Sequence, residues 1–277
     1  MLTVIILVFL ASLLCQVVKS NRNGRHVCQW RRILYTPPTG YTHELFEDMI
    51  VQPHILIAGC SGSGKSVVIN GILSTLLYRL PMDCVNGAQL ILIDPKRVEL
   101  AAYKNMPHTL AHAAGFHPEA WMEALKQAVS IMDERYTYME RKGLKKYDKG
   151  DLYVVIDEWA NVFKNGGRDA YKAVLRLTSE GRAAKVHLIM ATQVPKANII
   201  PTEIRENFDA RLCLRTANAI QSRVIMENNG CETLPRYGNG FYCKPEGTEL
   251  KKIPYVKDDE IEVLLNWWND PEHKKAI

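Results

Sequence analysis

Apolar residues in this 277-residue chain fall into short continuous runs separated by longer stretches of helical spacing. His54–Ala58, Gln89–Asp94, Leu152–Ile156, Val186–Ala191 and Ala210–Arg215 are runs of the first kind. Strands apolar on both faces are buried on both faces, as in parallel sheets. Between the first two runs, Val67, Val68, Ile69, Ile72, Leu73, Leu76, Leu77 and Leu80 recur at helical spacing, and Pro81 closes the segment. Pro118–Lys142 repeats that pattern with Trp121, Leu125, Val129, Met132 and Tyr136 on one side. Further helices are predicted over Arg168–Arg182, Ala219–Asn228 and Asp258–Trp268, and a late strand over Gly240–Cys243. Strands alternating with helices predict an α/β fold whose mainly parallel sheet is covered by helices on both faces.

The first 18 residues break this pattern. Met1–Val18 carries no charged side chain and, as a helix, would span about 27 Å, enough for a bilayer core. A cleaved signal peptide begins with a basic segment, and none is present. The basic residues Lys19, Arg22, Arg25, Arg31 and Arg32 come afterwards instead. The expectation is one transmembrane anchor over residues 1–18 with its N-terminus outside, then a basic juxtamembrane linker over 19–44. Residues 45–277 follow as a cytoplasmic domain. Signal peptide and buried helix are the alternatives, and the basic cluster also suits anionic lipid headgroups.

Charge sharpens this picture. The chain has 35 Lys and Arg against 30 Asp and Glu, and the five basic residues within 1–32 account for the whole excess. The globular part is neutral overall, so any nucleic-acid surface has to be a local patch. Seven scattered cysteines without a C-x-x-C pair fit reduced thiols in a cytosolic compartment. The eight histidines show no metal spacing.

Candidate chemistry sits where strands end. Gly59-Cys60-Ser61-Gly62-Ser63-Gly64-Lys65-Ser66 satisfies G-x-x-x-x-G-K-[S/T] between a predicted strand and a predicted helix, the context that a phosphate loop requires. Backbone N–H groups and the helix dipole favour phosphate there. Lys65 would reach the β- and γ-phosphates, and the Ser66 hydroxyl would ligate Mg²⁺. Cys60 lies inside this loop and reads as a tolerated small residue, with sensitivity of the site to thiol reagents as the alternative. Leu152–Ile156 runs into Asp157 and Glu158, a Walker B pattern: Asp157 would serve the Mg²⁺ shell and Glu158 would polarise the attacking water. The alternative for Glu158 is a helix-capping acid. Gln193, at the tip of the fourth strand, is placed to sense a γ-phosphate.

Longer motifs add a resemblance. Leu92-Ile93-Asp94-Pro95-Lys96-Arg97-Val98-Glu99-Leu100 with Met106-Pro107-His108, the Gly181–Gln193 segment, and Asn207-Phe208, Arg211 and Ser222-Arg223 resemble the FtsK/SpoIIIE family of membrane-anchored DNA translocases, a HerA/FtsK-type P-loop ATPase group. The resemblance implies a RecA-like core, ATP and Mg²⁺ as cofactors, and a ring, usually a homo-hexamer, with ATP at subunit interfaces. It implies catalytic roles for Lys65, Asp157, Glu158 and Gln193, and an arginine reaching a neighbour's site. Arg182, Arg211, Arg215 and Arg223 are the candidates, with Arg223 favoured. Lys164, Arg168 and Lys196 would lie on loops facing the pore and its DNA, of either strandedness. Val194 departs from the family's usual arginine. The single anchor and an end soon after Asp258–Trp268, without a winged-helix domain, suggest conjugative, plasmid or phage DNA handling at the inner membrane. Two other functions remain open: a related ATPase driving protein secretion, and a nucleotide-gated membrane scaffold.

Overall fold

A computed structural model of the chain describes residues 44–79 and 87–269. The expected anchor at 1–18, nearly all of the linker, and Leu80 and Pro81 lie outside the described residues. No helix among the described residues is long and apolar enough to cross a membrane.

The chain alternates strands and helices as predicted. Helix α1 (Glu44–Ile50) leads into β1 (His54–Ala58), the glycine loop and α2 (Lys65–Arg79). Then come β2 (Gln89–Asp94), β3 (Thr109–Ala114), α3 (Pro118–Lys142), β4 (Leu152–Ile156) and α4 (Trp159–Glu180). Strand β5 (Val186–Thr192), the short α5 (Thr202–Arg205), β6 (Ala210–Cys213) and α6 (Ala219–Met226) follow. A hairpin of β7 (Asn239–Lys244) and β8 (Gly247–Lys252) precedes α7 (Asp258–Asn269).

One sheet contains all eight strands in the order β3-β2-β4-β5-β1-β6-β7-β8. From β3 to β6 every pairing is parallel, while β7 and β8 are added antiparallel. The expectation of a mainly parallel sheet therefore holds, with the antiparallel pairings confined to one edge. Strand β5 lies between β1 and β4, with Ala58 opposite Thr192 and Ile156 opposite Met190. This order brings the carboxyl tips of β1, β5, β4 and β2 side by side, the edge where open α/β sheets take ligands.

Successive side chains on a strand point to opposite faces. Leu56, Ile91, Val154, Ile156, Leu188 and Met190 pack with Trp121, Leu125 and Met132 of α3 and Trp159, Val162, Val174 and Leu177 of α4. Their neighbours Ile55, Ile57, Leu90, Leu92, Val155 and Ile189 are equally buried on the other face. There α2 packs against α1 and α7, and Trp268 Nε1 donates to the Leu77 carbonyl at 3.2 Å.

One helix boundary differs from the sequence expectation for a local reason. Helix α4 starts at Trp159, not Arg168, and runs across a kink at Gly167, whose φ of 55° and ψ of −132° suit glycine alone. The glycine pair at 166–167 reads as a break in the sequence, but helix resumes on both sides. Lys164 and Arg168 therefore flank a helix kink instead of lying on a loop. Helix α3 ends as its sequence suggests: Gly143 takes the left-handed conformation, and its N–H and that of Leu144 return to Glu140 and Met139.

Two buried histidines carry a pH dependence. His54 Nδ1 accepts the Leu188 N–H at 3.1 Å, so the ring is held neutral. Burial, with His187 and Arg182 nearby, pulls its pKa down to about 3. His108 stands edge-on to Trp268, with a centroid separation of 4.4 Å, and neither ring nitrogen has a hydrogen-bond partner; burial lowers its pKa to about 4. Both folded-state values lie below the unfolded value, so the unfolded chain binds more protons between them. Stability is complete above about pH 6.5 and falls as pH drops toward 4, by about 1.4 kcal/mol per unit for each ring. Urea midpoints measured from pH 8 to 4 should decline in that window, and His108→Phe should flatten part of the decline.

Candidate functional site

The phosphate loop is pinned to its neighbours by main-chain bonds. Gly59 N–H donates to the Thr192 carbonyl at 3.3 Å, at the end of β5, and Cys60 N–H to the Arg215 carbonyl at 2.8 Å, beyond β6. A side chain at Gly59 would run into Ser63 Oγ, Leu214 Cβ and the Arg215 carbonyl, so only glycine permits this approach. Gly62 and Gly64 have φ of 70° and 98°, and these two left-handed turns curl the loop into the first turn of α2. Lys65 and Ser66 open that helix. The Lys65 side chain folds back, its Nζ donating to the carbonyls of Gly59 at 2.8 Å and Cys60 at 3.2 Å. Burial lowers the pKa of this ammonium, while the Glu158 and Asp157 carboxylates act to raise it.

The two acids sit one strand away. Asp157 and Glu158 follow β4 and are each 3% exposed. Asp157 N–H donates to the Ile93 carbonyl at 3.1 Å, but its Oδ2 is buried with no hydrogen-bond partner. Burial pushes this carboxyl up to about 7; Lys96 opposes the rise, while Asp94, Glu99 and Glu158 add to it. Such an orphaned carboxylate oxygen is a place for a cation. No group of three His, Cys, Asp or Glu residues among the described ones could hold a metal by itself. That fits a cation shared with phosphate oxygens, for which Mg²⁺ needs only one or two protein ligands.

Glu158 is held differently. It occupies the N-cap position of α4, yet its carboxylate makes no capping bond. Its Oε1 accepts from Thr192 Oγ1 at 2.9 Å and Gln193 N–H at 3.0 Å, and its Oε2 accepts from Lys96 Nζ at 3.1 Å. The capping alternative is therefore excluded by where the carboxylate points. Lys96 itself is presented by a tight turn in which buried Asp94 accepts the N–H groups of Lys96, Arg97 and Leu100. Sequence reasoning assigned Lys96 to a family motif without giving it a role. The pairing of β2 with β4 is what brings it to Glu158.

The remaining expected residues scatter. Gln193 stands at the tip of β5 beside Glu158, and its side-chain amide makes no hydrogen bond among the described residues. Arg223 is exposed and donates to Asn229 Oδ1 at 2.8 Å. Arg211 is tied to the Ile225 carbonyl and to Glu227, both at 3.1 Å. Arg182 precedes β5 at the opposite edge of the sheet, whereas the main chain of Arg215 touches the phosphate loop. A second cation missed by the sequence reading is Arg236, whose guanidinium lies against Gly62.

Comparison with known proteins agrees with this geometry. Residues 29–232 match the model of the FtsK/SpoIIIE family. The chain belongs to that family. Membership makes it a P-loop ATPase, the class to which the loop and the paired acids also point. The DNA translocase FtsK of Leptospira interrogans is 36% identical over 239 residues, covering 79% of this chain and 25% of that protein. The DNA translocase FtsK of Mesorhizobium japonicum is 34% identical, covering 83% of this chain and 31% of that one. The chain thus spans about a quarter to a third of the length of these relatives. Among solved structures, the pCW3 conjugation coupling protein TcpA, a monomer with ATPγS, superposes with a TM-score of 0.67 at 24% identity, covering 78% of this chain and 65% of that one. The type VII secretion ATPase EccC of Thermomonospora curvata gives 0.66 at 21% identity, over 78% of this chain and 28% of that one. These likenesses establish the fold.

The Lys96–Glu158 pair has a measurable consequence. Its glutamate is 4% exposed and its lysine 32% exposed at the side chain, so solvent screens the pair in part. Lys96→Met and Glu158→Gln should each destabilise the fold, and the double variant should cost less than the sum by about 1 kcal/mol in urea unfolding. Strictly additive values would mean that the pair is not formed in solution.

Proposed function

We propose that this chain is the RecA-like motor of an ATP-driven DNA translocase, working as a ring of identical subunits at the inner face of a membrane. The observation that carries the reading is the partnerless, buried Oδ2 of Asp157 beside a glycine loop that ends in Lys65 and Ser66. That pairing suits a magnesium-bound triphosphate. Ser66 and Asp157 would hold Mg²⁺, and the N–H groups of Gly59–Ser66 would surround the phosphates. The metal supplies charge neutralisation on the β- and γ-oxygens.

The chain's own side chains divide the remaining work. Lys65, now spent on two loop carbonyls, exchanges them for phosphate oxygens. Glu158, held by Thr192 and the Gln193 N–H, orients and polarises the attacking water. Gln193, on the same strand tip, reads the γ-phosphate. An arginine from a neighbouring subunit, Arg223 in our reading, adds positive charge as the transition state develops. Lys164 and Arg168 at the α4 kink, and Lys196 beyond β5, would meet DNA phosphates, contacts that position without reading sequence. Residues 1–18 supply the anchor, which makes the protein a single-pass protein of the cell membrane with a cytoplasmic motor.

Cargo is the point on which the alternatives divide. The relatives that are 34% and 36% identical to this chain over the matched region are named DNA translocases, which favours DNA. Secretion of protein is favoured only by the fold likeness to EccC. A scaffold that binds ATP without turnover would have no use for Glu158 at a strand tip beside the phosphate loop.

ATP turnover should rise when DNA is added at low salt, and the rise should fade steeply with ionic strength. Lys65→Ala should abolish turnover. Glu158→Gln should keep nucleotide binding and lower turnover by about a hundredfold or more. Assays with single- and double-stranded DNA on the full chain and on a truncation lacking residues 1–32 measure all of this. No stimulation by either form would remove DNA as the cargo.

A further inference from the structure

Arg236 lies outside every motif that identified the site, and its side chain lies against the phosphate loop. A methyl group built on Gly62 would stand 3.0 Å from Arg236 Nη2 and 3.3 Å from Nε. Gly62 is the middle of the loop's curl, so this guanidinium borders the cradle in its own subunit, needing no neighbour. Among the described residues, Arg236 forms no ion pair with any carboxylate and no side-chain hydrogen bond. Its one recorded partner is the face of Tyr237, 5.6 Å away from Cζ to ring centroid, and that ring is 63% exposed.

The segment bearing Arg236 is fastened to the same framework as the loop. Cys60 N–H bonds the Arg215 carbonyl, and one residue later Thr216 N–H bonds the Cys231 carbonyl at 3.3 Å. Cys231 N–H in turn donates to Ser222 Oγ at 3.2 Å, whose hydroxyl reaches the Asn228 carbonyl at 2.9 Å. Leu234 is buried in the core, two residues before the arginine. The arginine is thus carried on a stiff support that shares hydrogen-bonded neighbours with the loop.

We infer that Arg236 is a nucleotide-binding residue acting in cis, its guanidinium taking phosphate oxygens of the nucleoside triphosphate held by Gly59–Ser66. This inference rests on reading that loop as the nucleotide site. An unpaired cation beside a site for several negative charges gains a partner without giving one up, and the planar fork of arginine matches phosphate geometry. Lys65 serves the phosphates from the helix side of the loop; Arg236 serves them from the segment that precedes β7. With Lys65 and Lys96, the site then has a third cation of its own before any neighbouring subunit contributes.

The test is equilibrium binding of ATP, ADP and AMP to the full chain, by displacement of a fluorescent ATP analogue, for the wild type, Arg236→Gln, Arg236→Lys and Lys65→Ala. Arg236→Gln should weaken ATP by about tenfold or more, as expected for loss of charge-assisted hydrogen bonds. The loss should shrink from ATP to AMP as phosphates are removed, and Arg236→Lys should recover part of it. Because the side chain is exposed, thermal unfolding of the nucleotide-free Arg236→Gln protein should match the wild type. An unchanged affinity in Arg236→Gln beside a loss in Lys65→Ala would overturn the role of Arg236 and leave the loop's assignment standing. Equal losses for ATP, ADP and AMP would also overturn it, since they would mean contact with the base or sugar. A wild type that binds none of the three would sink the loop's assignment and this inference together.

Discussion

Two adjacent carboxylates leave the central strand with almost no water around them, and the tips of the neighbouring strands are arranged to deal with that charge. Isolated buried carboxylates are costly, so they find partners or hold a proton. Glu158 finds partners in a hydroxyl and an N–H from β5 and an ammonium from the turn after β2. Asp157 finds none for its Oδ2, and burial raises its pKa into the neutral range. A magnesium-bound triphosphate would set positive charge against that oxygen.

Strand order makes this arrangement possible. Had β1 and β4 been neighbours, the loop and the two acids would touch directly, with no strand between them to carry Thr192 and Gln193. Placing β5 there gives the site a third tip. Its main-chain carbonyl ties down the loop at Gly59 and its side chain ties down Glu158, both through Thr192. A single residue therefore ties the glycine loop to the Glu158 carboxylate. Small shifts of β5 would move both together, which is one physical route by which a change elsewhere in the sheet would reach the loop and Glu158 at once.

Legibility in the sequence followed burial. Strands β1, β2, β4, β5 and β6 are apolar on both faces and stood out as runs. Strand β3 was missed because Thr109-Leu110-Ala111-His112-Ala113-Ala114 pairs small and polar residues at the edge of the sheet. Strand β8 was missed for a stronger reason: Gly247–Lys252 buries no side chain and is held by pairing with β7 alone. The loop, Asp157, Glu158 and Gln193 were legible because their chemistry is bound to local context, a strand end and a helix start. The contact of Lys96 with Glu158 was not, because it crosses 62 residues of sequence that only the sheet order closes, and Arg236 belongs to no motif. The kink of α4 was misread as a loop because Gly166-Gly167 signals a break whether or not helix continues beyond it.

The same split between buried and exposed positions marks where this chain's site tolerates a new side chain without a change of fold. The glycines at 59, 62 and 64 are fixed by close approach and by left-handed backbone, so they tolerate little. Residues such as Arg236 stand on the solvent side of the cradle, where a side chain can be exchanged without disturbing the core. On the functional reading proposed above, their chemistry would add to the hold that the loop and Lys65 have on phosphates, while the buried pair at 157–158 would set what is done to them. A change of side chain on the segment before β7 would then alter binding without disturbing the tip of β4.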